Sequence, residues 1–320
     1  MTRIALIGAG VVGSSWSLVF ARAGFEVAVY DADSNSAVRV PDFVRTAAAG
    51  LEALGLILPD PAETIAARVR PTKSIEEALA GVDYVQESVP ERLPIKVELY
   101  KTLDALAGPQ VVLASSTSGL PASAFTENLA TRARCLVVHP INPPHLIPLV
   151  EIVPSPWTKP DVVERARTLM LRIGQSPIQL RREISGFVVN RLQSALLGEA
   201  FRLVEDGIVN AEEVDRAIAD GLGLRWSFMG PFQTIDLNAK TGIAEYCRNL
   251  GPMYHGLAKE QADPRPWPDA LVATVEDTLR KQTSADDIPA RQRWRDNFLA
   301  KLVDFKRSLT SPAAGSSGAS

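Results

Sequence analysis

The sequence predicts an α/β N-terminal domain with a doubly wound sheet, followed by an all-α C-terminal domain. Three observations carry this. A short apolar run ends in the glycine spacing Gly8-x-Gly10-x-x-Gly13, strand–helix alternation continues to about residue 180, and helical periodicity alone follows Glu183. At about one domain per 150 residues, a chain of 320 residues is expected to hold two. The expected boundaries are 1–183 and 184–309, with a small, polar, disordered tail at 310–320.

Ile4-Ala5-Leu6-Ile7 is continuously apolar, as a strand buried on both faces of a parallel sheet must be. A helical pattern follows from Val11 to about Ala23, with Gly24 placed to stop it, and Glu26–Tyr30 is a second strand ending at Asp31. Residues 34 to 81 read as helix, loop and helix around the break Pro59-Asp60-Pro61. Val82–Val85, Val111–Ala114 and Leu136–Val138 are further strands, and Pro90–Leu106 is an amphipathic helix. Beyond Ser185, Val188, Leu192, Leu196 and Leu197 form one helical stripe, continued by Ala200, Leu203 and Val204. The alternate prolines of Asp263–Pro268 demand an extended loop. Arg3, the apolar stretch to Gly13 and Ala21-Arg22-Ala23 loosely imitate a secretory signal, but the glycine spacing inside it favours strand, turn and helix.

Composition excludes several classes of function. Hydrophobic residues are 46% and charged residues 22%, an ordinary globular balance. Lys and Arg number 34 against 37 Asp and Glu, which leaves no field for nucleic acid or an anionic membrane, so the expected partner is a small molecule. Cys135 and Cys247 stand 112 residues apart with no CxxC, which suggests neither disulfides nor zinc and fits a reducing cytoplasm.

Each position of the glycine segment has work in a dinucleotide site. Gly8 permits the tight turn, Gly10 lets backbone approach a pyrophosphate, and Gly13 allows close helix–strand packing. The N–H groups of Val11 and Val12 open the helix toward the phosphates. Asp31, 18 residues beyond Gly13, suits the two ribose hydroxyls and repels a 2′-phosphate, so NAD is favoured over NADP.

Only three histidines occur. His139 follows a strand, at the end where open α/β sheets bind ligands, and Glu151 lies 12 residues on within the apolar run Leu149–Val153. A carboxylate there needs a partner, and paired with His139 it makes a general base. The spacing is equally compatible with His139 capping a loop and Glu151 facing solvent at a sheet edge. No metal-ligand spacing is present. His145 and His255 carry no functional argument.

Together these residues carry a resemblance to the 3-hydroxyacyl-CoA dehydrogenase family, and within it to the lambda-crystallin branch, whose activity is L-gulonate 3-dehydrogenase. It runs from the glycine loop to about residue 307. The most specific stretches are Gln86–Glu91, Ser115–Ser118, His139–Pro144, Gly186–Arg191 and Leu224–Pro231. The resemblance implies a Rossmann-type NAD domain, a helical second domain that forms a homodimer, and catalysis by His139 as base with Glu151 as its partner. It further implies that Ser118 and Asn190 hold the reacting oxygen, that Asn142 positions substrate and nicotinamide, that Glu91 and Lys96 lie near the ribose or nicotinamide end of the cofactor, and that Asp31 lies at the adenosine ribose. Ser118 equally suits a helix cap or turn.

For the substrate, acyl-CoA members need a cationic surface for adenine and phosphates. Here the first lysine is Lys73, and between residues 36 and 70 four arginines face four acids, which argues against CoA. Arg225, beside Trp226, suits a bidentate grip on a free carboxylate, or equally a surface stack on the indole. Carnitine dehydrogenases of the family share Arg-Trp-Ser-Phe-Met here, but a quaternary ammonium wants an aromatic cage and aromatics are only 6%. The order of expectation is an L-gulonate-like polyol acid, then L-carnitine, then a hydroxyacyl-CoA. A non-catalytic, crystallin-like structural role is the alternative of another class; the presence of His139, Glu151, Ser118 and Asn190 together favours activity.

Overall fold

The computed structural model describes residues 3–56 and 58–310; the expected disordered tail therefore lies, but for Thr310, outside the described residues. The first half runs β1 (Arg3–Ile7), α1 (Val11–Arg22), β2 (Glu26–Tyr30), α2 (Ser34–Ala53), α3 (Ala62–Ala67), β3 (Val69–Pro71), α4 (Ile75–Leu79), β4 (Tyr84–Glu87), α5 (Leu93–Leu106), β5 (Val112–Ser115), α6 (Ser123–Thr126), β6 (Cys135–Pro140), β7 (Leu149–Pro154), α7 (Pro160–Arg172) and β8 (Ser176–Gln179). The strands form one eight-stranded sheet in the order β3-β2-β1-β4-β5-β6-β7-β8.

Strand periodicity divides the interior into two cores. Ile4, Leu6, Val27, Val29, Leu136 and Val138 enter one cluster, while the alternate residues Ala5, Ile7, Ala28, Val85, Val137 and Val153 enter the other. Successive side chains point to opposite faces, so both faces are covered, as the unbroken apolar runs require. Each fully buried aliphatic side chain contributes about 1.5–3 kcal/mol. Helix α1 lies close to the sheet because its buried positions include Ser14, Ser15 and Ser17, and the hydroxyls of Ser14 and Ser17 donate to the carbonyls of Ala9 and Gly13.

Three details differ from the sequence expectation. The stretch read as helix, loop and helix holds β3 as well, a three-residue edge strand too short to show a period. The β6–β7 pair is antiparallel within an otherwise parallel sheet, since the eight residues between the two strands are too few for a helical crossover. The compact units divide after Asn190, and residues from Arg295 onward group with the first. Leu299 and Ala300 explain this by packing into its core.

The remaining helices are α8 (Val189–Glu205), α9 (Ala211–Arg216), α10 (Gly223–Trp226), α11 (Pro231–Leu237), α12 (Ile243–Glu260), α13 (Asp269–Gln282) and α14 (Ile288–Thr310), with a π-helical turn at Ala217–Leu222. In the second unit, Asn210 and Glu213 form a reciprocal capping box at the start of α9. The extended proline segment is fixed by Arg265, which pairs with Glu205 (3.1 Å) and Asp206 (2.7 Å), and by the stack of Trp267 on Phe201 at 4.2 Å. No described helix is long and apolar enough to cross a membrane.

Candidate active site

β1, β2, β4, β5 and β6 run parallel, so their C-terminal ends share one edge of the sheet. The glycine loop, Asp31, Ser88, Ser116–Ser118 and His139 all lie at or just beyond those ends. Open α/β sheets bind ligands along this edge.

The glycine loop is fixed by backbone contacts. A Cβ on Gly13 would stand 1.9 Å from the Gly8 carbonyl oxygen, and one on Gly8, whose φ is +104°, would stand 2.6 Å from the Ser88 carbonyl. A Cβ on Gly10 would meet no protein atom within 4 Å. Gly10 starts α1 without a side-chain cap, and no acidic residue occupies the first turn. The helix thus presents free N–H groups and its positive end beside open space, the cradle a pyrophosphate needs. Asp31 Oδ2 accepts the Ala9 N–H at 2.7 Å and Oδ1 accepts that of Asp33 at 2.8 Å. It braces the loop while each oxygen keeps a further lone pair. These residues fit NAD.

His139 is buried, 5% exposed, and in register with Glu151 across the antiparallel pair β6–β7. Its Nδ1 lies 2.8 Å from Glu151 Oε2. An ionised carboxylate only accepts, so Nδ1 carries the proton and Nε2 is left as the base. Glu151 Oε1 accepts the N–H groups of Val188 (2.7 Å) and Val189 (3.1 Å) at the start of α8. Burial raises the Glu151 carboxyl, but the bond from His139 and these two backbone bonds outweigh it and hold it below the usual range. The turn that aims these N–H groups passes through Phe187, whose φ is +50°. Its fully buried ring lies 5.5 Å from the imidazole.

Ser118 is exposed, and its hydroxyl has no hydrogen bond among the described residues. Its loop is tied from two sides. Glu91 Oε1 gathers the N–H groups of Ser118, Gly119 and Leu120 at 3.1, 3.1 and 3.4 Å, together with the Thr117 hydroxyl. Asn190 Nδ2 donates to the Ser118 carbonyl at 2.7 Å. Burial raises the Glu91 carboxyl, yet these donors and the Lys96 charge bring it below the usual range. Lys96 is itself sealed in the interior at 1% exposure, with Nζ 2.8 and 3.0 Å from the oxygens of the fully buried Glu87 and 3.5 Å from Glu91 Oε2. Asn142 is exposed and precedes a cis peptide to Pro143. Arg225 lies in α10 of the second unit, where its charge acts on Tyr246, a phenol raised mainly by its hydrogen bond with Tyr254.

Sequence reasoning missed the polar floor of this site. Glu87 also accepts the Val89 N–H at 2.7 Å and the Ser115 hydroxyl at 2.5 Å. Beside it the Ser116 hydroxyl accepts from Gln86 Nε2 at 2.7 Å and Trp16 Nε1 at 3.2 Å. The argument applied to Glu151, that a carboxylate in a buried strand needs a cation or donors, applies equally to Glu87, and Lys96, expected beside the cofactor, is instead the buried cation that answers it. Among the described residues no group of three or more His, Cys, Asp or Glu side chains is placed to hold a metal ion.

Comparison with known proteins places the chain in a family. Residues 3–184 match the 3-hydroxyacyl-CoA dehydrogenase NAD-binding domain and residues 186–284 the C-terminal domain of the same family. The chain is 38% identical over 309 residues to lambda-crystallin of Oryctolagus cuniculus, covering 96% of this chain and 97% of that one. It is 36% identical over 313 residues to the L-carnitine dehydrogenase of Pseudomonas putida, covering 95% and 94%. Among solved structures, the NAD-dependent dismutase 5-formyl-3-hydroxy-2-methylpyridine 4-carboxylic acid 5-dehydrogenase superposes with a TM-score of 0.78 at 30% identity, over 97% of this chain and 99% of that one. With both domains matched in order and relatives spanning nearly its full length, the chain belongs to the 3-hydroxyacyl-CoA dehydrogenase family and is an NAD-dependent oxidoreductase acting on a CH–OH group.

Proposed function

We propose that this protein oxidises the C3 hydroxyl of a small free hydroxy acid, with L-gulonate, the substrate its lambda-crystallin resemblance implies, as the first choice. The observation that carries the chemistry is the His139–Glu151 pair, held at 2.8 Å with its second carboxylate oxygen tied to backbone N–H groups. His139 Nε2 accepts the substrate hydroxyl proton, and Glu151 stabilises the imidazolium that results. The Ser118 hydroxyl and Asn190 amide orient the reacting oxygen, Asn142 helps to place the substrate, and Arg225 grips its carboxylate. The cofactor is held by Gly8, Gly10, Val11, Val12, Gly13 and Asp31 at its adenosine end, with Glu91, Ser118 and Asn142 toward the other end; Lys96 contributes from beneath, through Glu87 and Glu91. Bound NAD supplies the hydride acceptor.

Two observations favour a free acid over a CoA thioester. Of the four arginines between residues 36 and 70, three are neutralised in ion pairs: Arg45 with Asp42 and Glu63, Arg68 with Asp60, and Arg70 with Glu77. Arg39 donates to Ser36. The relatives named for carnitine and for a pyridine carboxylic acid also point to small free acids. L-Carnitine is the second choice.

The helical unit supports a homodimer. α8 and α12 bury none of their residues, while Leu192 is 64% and Phe232 74% exposed. Apolar surface of this kind marks an interface. We place the protein in the cytoplasm because both of its cysteines are free thiols, which suits a reducing compartment.

The decisive experiment follows NAD reduction with L-gulonate, L-carnitine, 3-hydroxybutyrate and 3-hydroxybutyryl-CoA, with NADP in parallel. Turnover of L-gulonate with NAD at the highest kcat/KM supports the reading; turnover with the CoA thioester alone overturns it.

A further inference from the structure

A chain of hydrogen bonds crosses the polar floor beside the glycine loop, and counting protons fixes its direction. It starts at Gln86 in β4, which is fully buried. Gln86 Nε2 lies 3.1 Å from the Val138 carbonyl, which only accepts, so the amide nitrogen must face it. The amide oxygen then faces Tyr84, whose hydroxyl donates to it at 2.6 Å. Burial holds that phenol well above its ordinary pKa, so it keeps the proton it donates.

The other N–H of Gln86 Nε2 goes to Ser116 Oγ at 2.7 Å. Trp16 Nε1, which can only donate, reaches the same oxygen at 3.2 Å. These two donors fill both lone pairs of the Ser116 hydroxyl. Its own proton must therefore go to Ser88 Oγ, 2.9 Å away. Ser88 receives that bond and keeps a proton that meets no acceptor among the described residues.

The place of Ser88 in the fold says where that proton can go. Ser88 is half-buried just beyond the end of β4. Its carbonyl would stand 2.6 Å from a Cβ on Gly8, and its own Cβ 3.6 Å from one on Gly13. The strand order β2-β1-β4-β5-β6 sets Asp31, the glycine loop, Ser88, Ser116 and His139 in succession along one edge of the sheet. A dinucleotide laid from Asp31 across the glycine loop toward His139 reaches Ser88 on its nicotinamide side. The second phosphate and the second ribose both offer acceptor oxygens there. A hydroxyl already turned outward by its neighbours loses little freedom in binding one of them.

We infer that Ser88 is a further cofactor-binding residue, whose hydroxyl donates to a phosphate or ribose oxygen in the nicotinamide half of NAD. Tyr84, Gln86 and Trp16 are positioning residues: all three are fully buried, and they act on the cofactor only through Ser116 and Ser88. The inference rests on NAD lying over the glycine loop, as proposed above, and Gly10→Ala tests that placement separately. Weaker NADH binding in Gly10→Ala with none in Ser88→Ala would keep the cofactor in place and overturn the role of Ser88.

The test is fluorescence titration of the full chain with NADH, and displacement of NADH by ADP-ribose, ADP and AMP, in the wild type and Ser88→Ala. That substitution removes one half-buried oxygen and adds no atom, so the variant will fold. Its dissociation constants for NADH and ADP-ribose should rise together, by about threefold to tenfold for a bond lost to a ribose oxygen and by more for one lost to a phosphate. AMP lacks both the second phosphate and the second ribose, and its affinity should not change. ADP carries the second phosphate alone: weaker ADP binding assigns the bond to phosphate, and unchanged ADP binding assigns it to ribose. Unchanged NADH affinity in Ser88→Ala overturns the proposal. So does AMP weakened by the same factor as NADH, because the substitution would then have disturbed the glycine loop itself.

Discussion

His139 and Glu151 face each other across β6 and β7, with Nδ1 and Oε2 2.8 Å apart, and the carboxylate is anchored by the first N–H groups of α8. One side chain thereby sets the tautomer of the base and fastens the segment that carries Asn190. His139→Gln should lower turnover by about 10²–10⁴-fold while leaving NADH affinity unchanged in a fluorescence titration. Near wild-type turnover would remove His139 from the mechanism.

Glu151 also predicts a pH dependence of stability. Its carboxyl is held below the ordinary value of 4.5 in the folded protein. The group therefore contributes stability in full above that value and loses it as pH falls through the lower, folded value. Glu151→Gln lacks this titration. Unfolding temperatures measured from pH 7 downward should fall less steeply below about pH 4.5 in the variant than in the wild type. Parallel curves would mean that the carboxylate's bonds do not favour its ionised form.

Glu91 anchors the loop that presents Ser118. Glu91→Ala should lower kcat by roughly tenfold to a hundredfold, the worth of one or more hydrogen bonds to a charged acceptor. If it acts through Ser118, the double variant with Ser118→Ala should lose little more than the worse single variant. Full additivity would separate the two residues.

The glycines should respond unequally. At Gly13 a methyl group meets the Gly8 carbonyl at 1.9 Å, so Gly13→Ala should destabilise the fold by about 3 kcal/mol or more. At Gly10 it meets no protein atom. Gly10→Ala should unfold near the wild-type temperature yet bind NAD at least about tenfold more weakly, a difference of roughly 1.4 kcal/mol. Equal NAD affinity in that variant would place the pyrophosphate elsewhere.

Local sequence held much of this molecule because short-range patterns have short-range causes. A run such as Ile4–Ile7 is apolar at every position because both faces of its strand are covered, and the glycine spacing exists because backbone must touch backbone at Gly8 and Gly13. The edge strand β3, with three residues and one face in solvent, leaves no period to read.

From the sequence alone came the two-part architecture, the dinucleotide loop, Asp31 and the candidacy of His139 and Glu151. Tertiary structure decided which of two open readings Glu151 follows, because only the antiparallel β6–β7 register sets it against His139. It also decided that Lys96 is buried on Glu87 and that Glu91 gathers the Ser118 loop. In the same way, the chain's last helix returns to pack Leu299 and Ala300 into the first core. These pairings join residues up to hundreds of positions apart, and a buried charge finds its partner by proximity in space, which periodicity and spacing along the chain do not encode.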